Sequence, residues 1–202
     1  MHITVLGQKI PVFSGGCTYV QRLRQLGRVY TLLGKGAYGK VWDLPRGHGV
    51  LKVARWNGEV HRNDPYVYYL AAGAAYPRNP LLPTIYDVRF FLDTHGHIWY
   101  EVHMEKLRPL NAHQMERWFQ TWLGESYTTH PNNKALRSKV LEVVTRMYGR
   151  HHTLVEQLQE VLANAKRGSR GWLDLHAGNL MVRGRGAAAQ LVVTDPLAPA
   201  WE

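Results

Sequence analysis

The chain has 202 residues, enough for one good-sized domain or a compact two-lobed one with a buried core. At 45% hydrophobic and 20% charged it has a globular composition, and its apolar runs are far too short to span a bilayer. Lys and Arg number 25 against 15 Asp and Glu, a net charge of +10 that favours anionic partners and says nothing about fold. A single cysteine, Cys17, permits no internal disulfide and suits a reducing cytoplasm. Met1 to Gly7 lacks the basic and long apolar regions of a secretory signal. No solenoid repeat and no low-complexity tract is visible.

Residues 1 to 28 predict a short strand, a turn at Ser14-Gly15-Gly16, and a helix from Tyr19 to Leu26. In that helix Val20, Leu23 and Leu26 fall near one face, with Arg22 and Arg24 outside, so it should pack against the lobe on its C-terminal side. Val29 to Leu44 predicts two strands joined by a glycine loop, in which Gly34, Gly36 and Gly39 have G-x-G-x-x-G order and Val41 lies two further on. Glycines let a backbone approach phosphate and turn its N–H groups towards the oxygens. An ordinary hairpin with glycine turns reads the same in isolation. Lys52 sits between Leu51 and Val53 on a short apolar strand, and alternation places it opposite them.

Asp64 to Tyr76 predicts a helix with Asp64 as N-cap and Pro65 in its first turn. It has no acid in its middle, so Glu59 and Asp64 are the candidates to pair with Lys52. After a proline-rich turn from Pro77 to Pro83, Thr84 to Leu92 and His97 to Met104 predict an antiparallel strand pair. From Ala112 the pattern is helical. Met115, Trp118, Phe119 and Trp122 form one apolar stripe. Val140, Val143, Val144 and Met147 form a second, and Leu154, Leu158, Val161 and Leu162 a third, with a loop around Asn132-Asn133 after the first. All three are read as core. The last helix ends near Lys166-Arg167-Gly168 and leads to Trp172.

The stretch from Trp172 to Asn179, W-L-D-L-H-A-G-N, carries Asp174 and, five residues later, Asn179. Two short strands come next, and the second, Leu191-Val-Val-Thr, ends in Asp195. Phosphoryl transfer needs one carboxylate to orient the attacking hydroxyl and take its proton, and an amide oxygen with a second carboxylate to hold Mg²⁺ on the phosphates. D-x-x-x-x-N alone is common; its order after the glycine loop and the strand lysine gives it weight. Arg146, Arg150, Lys166, Arg167 and Arg170 precede this stretch, and Arg183 and Arg185 come after it. They read as solvated helix faces or as an anion-attracting rim. Aromatics are not interleaved with them, so nucleic acid ranks low as a partner. The histidines show no metal-ligand spacing with Cys17.

Glycine loop, strand lysine, catalytic loop and metal acid, in that order from about Tyr30 to Pro196, resemble protein kinases. The resemblance implies an α+β, protein-kinase-like bilobal fold, with a β-rich N-lobe over 1–106 and a reduced helical C-lobe over 107–202. It implies ATP and Mg²⁺ as cofactors. Gly34, Gly36, Gly39, Val41 and Lys52 would hold ATP. Met104 would be the gatekeeper, with Glu105 to Leu107 as the hinge that meets adenine. Asp174 would be the base, and Asn179 and Asp195 the metal ligands. His176 would replace the lysine that steadies the γ-phosphate, although histidine is largely neutral at pH 7.

D-x-H-x-x-N also looks like aminoglycoside and choline-type phosphotransferases. The longer string D-L-H-A-G-N-L-M with T-D-P, together with Tyr86-Asp-Val, is most similar to the early serine/threonine protein kinases of short-tailed lytic, autographivirus-type bacteriophages. That resemblance implies an enzyme that phosphorylates host proteins in the cytoplasm of the infected bacterium, away from membranes. Only seven residues come after Asp195, so no activation loop, A-P-E motif or helical substrate platform is expected. Four readings fit this economy: a minimal protein kinase, a small-molecule kinase, a pseudokinase-like module that binds and inhibits a host protein, or a kinase completed by dimerisation.

Overall fold

The computed structural model describes residues 1–36, 39–56, 64–110, 112–124, 134–149, 152–175, 177–185 and 189–198. The chain is a mixed α and β protein that divides into two compact units, Met1–Asp64 with Thr84–Lys106, and Pro65–Pro83 with Leu107–Glu202. Glu59, His176 and the loop around Asn132-Asn133 lie outside the described residues, as does the side chain of Trp122.

The first unit contains β1 (His2–Val5), β2 (Gln8–Ser14), α1 (Tyr19–Val29), β3 (Thr31–Lys35), β4 (Gly39–Asp43), β5 (Val50–Arg55), β6 (Ile85–Leu92) and β7 (Ile98–Met104). Its strands form one seven-stranded sheet in the order β1-β2-β6-β7-β5-β4-β3. Neighbours are antiparallel except β2 and β6, which run parallel with Val12 opposite Phe90. Where the sequence predicts one short strand, the structure has the β1–β2 hairpin. Leu6 (φ 48°) and Gly7 (φ 80°) make its two-residue turn, and leucine in that conformation conceals it in the sequence.

Alternation sorts the sheet into two faces. Trp42, Leu51, Val53 and Trp99 pack under Leu26 of α1 in one buried cluster. A capping box starts this helix: Gln21 N–H donates to the Thr18 hydroxyl oxygen, and Thr18 N–H donates to Gln21 Oε1. Arg22 Nε donates to Glu101 Oε1 at 2.6 Å, and the Arg55 guanidinium lies 5.0 Å from the centre of the Tyr19 ring. Both ties hold α1 down on β5 and β7. The helix runs three residues beyond its predicted end, until Tyr30 N–H closes on Leu26 O. The other face of the sheet carries Lys52, Val102, Ala54 and Tyr100, which face one another across β5 and β7.

The second unit contains α2 (Pro65–Gly73), β8 (Arg108–Pro109), α3 (Ala112–Leu123), α4 (Lys134–Met147), α5 (His152–Ser169), β9 (Trp172–Leu173), β10 (Leu180–Arg183), β11 (Gln190–Val193) and β12 (Leu197–Ala198). β11, β10 and β8 form one small sheet, β12 and β9 another. Met115 and Phe119 of α3, Val140, Val143 and Val144 of α4, and Leu158, Val161 and Leu162 of α5 are buried, so the apolar stripes serve as core. Each such side chain contributes about 1.5–3 kcal/mol by leaving water.

Residues 65–83 fall within the predicted first lobe, yet they pack with the second unit. The reason lies in α2 itself, where Pro65, Tyr66, Val67, Tyr68, Tyr69, Leu70 and Ala72 are all buried. A helix apolar on every side needs a core around it, and α2 finds one against α5. The turn after it is tied to α5 as well. Asn79 Nδ2 donates to Leu154 O at 2.8 Å and Gln157 Oε1 at 3.1 Å, and Tyr76 O–H donates to Glu160 Oε2 at 2.5 Å.

Candidate functional site

In the first unit the glycine loop joins β3 to β4, and Gly36 N–H donates to Gly39 O at 2.9 Å. The three glycines have different causes. A Cβ on Gly39 would lie 2.7 Å from Val53 O and 2.9 Å from Ala54 Cβ, so β5 excludes any side chain there. A Cβ on Gly34 would meet nothing within 4 Å, and one on Gly36 only Gly39 O at 3.9 Å. Neither has a left-handed φ. Among the described residues, the packing of this unit therefore gives no reason for glycine at 34 or 36.

Lys52 is half-buried on β5, opposite Val41 on β4 and Val102 on β7. On the same face Tyr100 O–H donates to Asp64 Oδ2 at 3.0 Å, which anchors one of the two candidate acids for the lysine. Met104 ends β7, opposite Val50 and Ile85, and is buried. Gly49 abuts it: its φ is 98°, and a Cβ there would fall on the Met104 carbonyl oxygen. Glu105 closes the β6–β7 pair, donating N–H to Thr84 O at 3.0 Å and accepting from Thr84 N–H on Oε1 at 2.7 Å. Lys106 next to it pairs with Asp43 at 2.6 Å.

Leu107 begins the second run of the second unit, and this unit carries the candidate acids Asp174 and Asp195. β9 delivers Asp174, whose N–H donates to Pro196 O at 2.7 Å. β9 and β12 pair with Leu173 opposite Leu197, so the chain before Asp174 is joined to the chain after Asp195. A 3₁₀ turn over Ala177–Asn179 then brings Asn179 back, and its Nδ2 donates to Asp174 O at 2.7 Å. Asn179 O accepts from both the N–H and the hydroxyl of Thr194, each at 3.0 Å. Asp174, Asn179 and the immediate neighbours of Asp195 thus belong to one hydrogen-bonded knot.

A second layer supports the knot. Val193, two residues before Asp195, donates N–H to Leu81 O at 2.8 Å and accepts on its carbonyl from Tyr69 O–H at 2.6 Å. Arg183 donates from Nη1 to Pro80 O at 2.7 Å and from Nη2 to Leu82 O at 3.0 Å, so it pins the turn to β10. Its guanidinium serves as a structural tie, while Arg146 pairs along its own helix with Glu142 at 2.6 Å. Burial pushes the Tyr69 hydroxyl well above its ordinary pKa, and the nearby charge of Asp195 pushes it the same way. Tyr69 and Thr194 are not apparent from the sequence pattern, which reads Arg183 only as a rim or solvated charge. Tyrosine in an otherwise apolar helix was the available signal, since a buried hydroxyl needs a partner.

Among the described residues no group of three or more His, Cys, Asp or Glu side chains could hold a metal by itself. Mg²⁺ keeps few protein ligands and takes most of its oxygens from phosphate and water, so one amide oxygen and one carboxylate, the groups that Asn179 and Asp195 carry, match its donor chemistry. With Nδ2 turned to Asp174 O, Asn179 directs Oδ1 away from that carbonyl. Among the described residues, no helix is long and apolar enough to cross a membrane.

No protein-family model matches the chain, and no curated protein matches it. Among solved structures it is similar to the kinase domain of PknI from Mycobacterium tuberculosis, with 18% identity and a TM-score of 0.39 over 82% of this chain. It spans 58% of that domain's length.

Proposed function

We propose that the chain is an ATP- and Mg²⁺-dependent serine/threonine protein kinase with a reduced, kinase-like bilobal fold. The observation that carries this reading is the knot of the second unit, which links Asp174 to Asn179 directly and to Asp195 through Thr194 and Pro196. Glycine at 34 and 36 adds support from the first unit, because close approach of phosphate explains what internal packing does not.

Each residue then has a chemical task. Backbone N–H groups around Gly34 and Gly36 and the Lys52 ammonium hold phosphate oxygens. Val41 and Met104 flank the base, and the backbone of Glu105 to Leu107 meets its edge. Asn179 Oδ1 and the Asp195 carboxylate hold the metal, which when bound neutralises charge on the transferring phosphate. Asp174 orients the acceptor hydroxyl. As the new oxygen–phosphorus bond forms and the bond to the β-phosphate oxygen breaks, Asp174 takes the hydroxyl proton. ADP leaves with the electron pair of the broken bond. His176 is assigned to the γ-phosphate by resemblance alone.

The similarity to early phage kinases extends the proposal to host proteins as substrates, in the cytoplasm of an infected bacterium. The test is incubation of the purified chain with γ-labelled Mg-ATP and bacterial lysate. Label on serine or threonine of lysate proteins supports the reading. Label found only on small molecules moves the acceptor to an aminoglycoside- or choline-like alcohol. Absence of Mg-ATP binding overturns the reading in favour of a binding module.

A further inference from the structure

The helix between the lysine strand and β6 is α2. It carries no acid, and it packs with the unit that holds the metal residues. Its tyrosines account for this placement. Tyr69 is 1% exposed, and its hydroxyl reaches across 124 positions to Val193 O at 2.6 Å. Among the described residues β11 is an edge strand, since the small sheet runs β11-β10-β8. The outward polar groups of Val193 would therefore have no strand partner. Tyr69 caps the carbonyl and Leu81 O takes the N–H, so both are satisfied from the α2 segment. Beyond this point every neighbour of Asp195 is fixed: Thr194 by Asn179, Pro196 by Asp174, and Leu197 and Ala198 by β9.

We propose that Tyr69 is a positioning residue for Asp195: its hydrogen bond to Val193 O sets the direction in which the chain leaves β11, and hence where the carboxylate stands for the metal. This rests on the kinase reading given above, which assigns Asp195 to Mg²⁺. α2 then acts as a fixed support for the metal site. The electrostatic influence of Asp195 on the Tyr69 hydroxyl agrees with this proximity. Supports of metal ligands typically carry 10–100-fold in metal affinity.

The experiment titrates Mn²⁺, in place of Mg²⁺, into the ATP complex of the full chain and tracks the ion by its electron paramagnetic resonance. Wild type is compared with Tyr69→Phe and Tyr76→Phe. The control Tyr76→Phe loses a hydroxyl bond from the same segment, to Glu160 on α5. Amide hydrogen exchange is read on all three proteins. The expected result is that Tyr69→Phe weakens Mn²⁺ binding roughly tenfold, with faster exchange confined to the amides of 193–195, while Tyr76→Phe binds as wild type does. Equal Mn²⁺ affinity in Tyr69→Phe and wild type overturns the proposal. So does an equal loss in Tyr76→Phe, which would mark a general loosening of the segment. If Tyr69→Phe does not fold, Tyr69→His, which can place an N–H near the carbonyl, must recover affinity or the proposal fails. Absence of Mn²⁺ binding by wild type itself overturns the kinase reading, and the role of Tyr69 with it.

Discussion

Asn179 donates its side-chain amide to the main-chain carbonyl of Asp174 at 2.7 Å, so the residue assigned to the metal and the residue assigned to the acceptor hydroxyl are fixed by one bond. The five-residue spacing in D-L-H-A-G-N is what allows it, because the 3₁₀ turn over Ala177–Asn179 returns the amide to the start of the loop. Asn179→Ala removes both the clamp and the oxygen assigned to the metal. Phosphoryl transfer should fall on the order of a hundredfold or more, with the melting temperature lowered by only a few degrees. Steady-state rates across a Mg²⁺ series, alongside thermal melts, check this.

The glycines separate structure from ligand binding. Gly39→Ala drives a Cβ into Val53 O and Ala54 Cβ, and should cost about 1–3 kcal/mol of stability, as overpacking does. Gly34→Ala meets nothing within 4 Å and should leave stability unchanged or slightly higher. It should nevertheless weaken ATP binding. Denaturant unfolding and nucleotide calorimetry on both variants check the contrast.

Arg22 and Glu101 join α1 to the sheet at 2.6 Å, with side-chain exposures of 31% and 13%. Arg22→Ala leaves a mostly buried carboxylate without this partner. The expected loss is about 1–2 kcal/mol, between the values for exposed and buried pairs. Arg22→Lys should recover part of it. Urea unfolding measures both.

Asp93 lies buried at the β6–β7 turn. Burial opposes its charged form, but the N–H groups of His97 and His95 donate to Oδ1 at 2.9 Å and 2.8 Å, and both imidazoles add attraction. Together they outweigh burial and hold the carboxyl below its ordinary range. A lowered folded pKa stabilises the protein above the unfolded value, about 3.9, and this contribution is lost as pH falls through the folded value. Wild type should therefore melt higher than Asp93→Asn at neutral pH, and the gap should close below about pH 4. Melts from pH 7 to pH 2 give the curve.

Local patterns made much of the fold legible. The glycine loop, the apolar strand around Lys52 and the alternating pair from Thr84 to Met104 each declare themselves within a few residues, and they correspond to β3 to β7. The hairpin between Asn179 and Asp195 is equally local. What escaped depends on tertiary partners. The parallel pairing of β2 with β6 joins residues far apart in the chain, and nothing near Val12 announces Phe90. The place of α2 is set by the core around it. The uninterrupted apolar run of Tyr66 to Ala72 was the clue, because a helix on a lobe surface would show a polar face. In the candidate site, the spacing that singles out Asp174 and Asn179 corresponds to a hydrogen bond between them, whereas Tyr69 and Thr194 bond to backbone groups that no spacing reveals.

The most direct measurement of the central claim is the initial rate of γ-phosphate transfer from Mg-ATP to protein by the wild-type chain and by Asp174→Ala, with Mg-ATP affinity measured on both. With Asp174 as the base, transfer by the variant falls to background while Mg-ATP still binds and the melting temperature is nearly unchanged. Equal transfer by the two proteins would contradict this and remove Asp174 from the reaction.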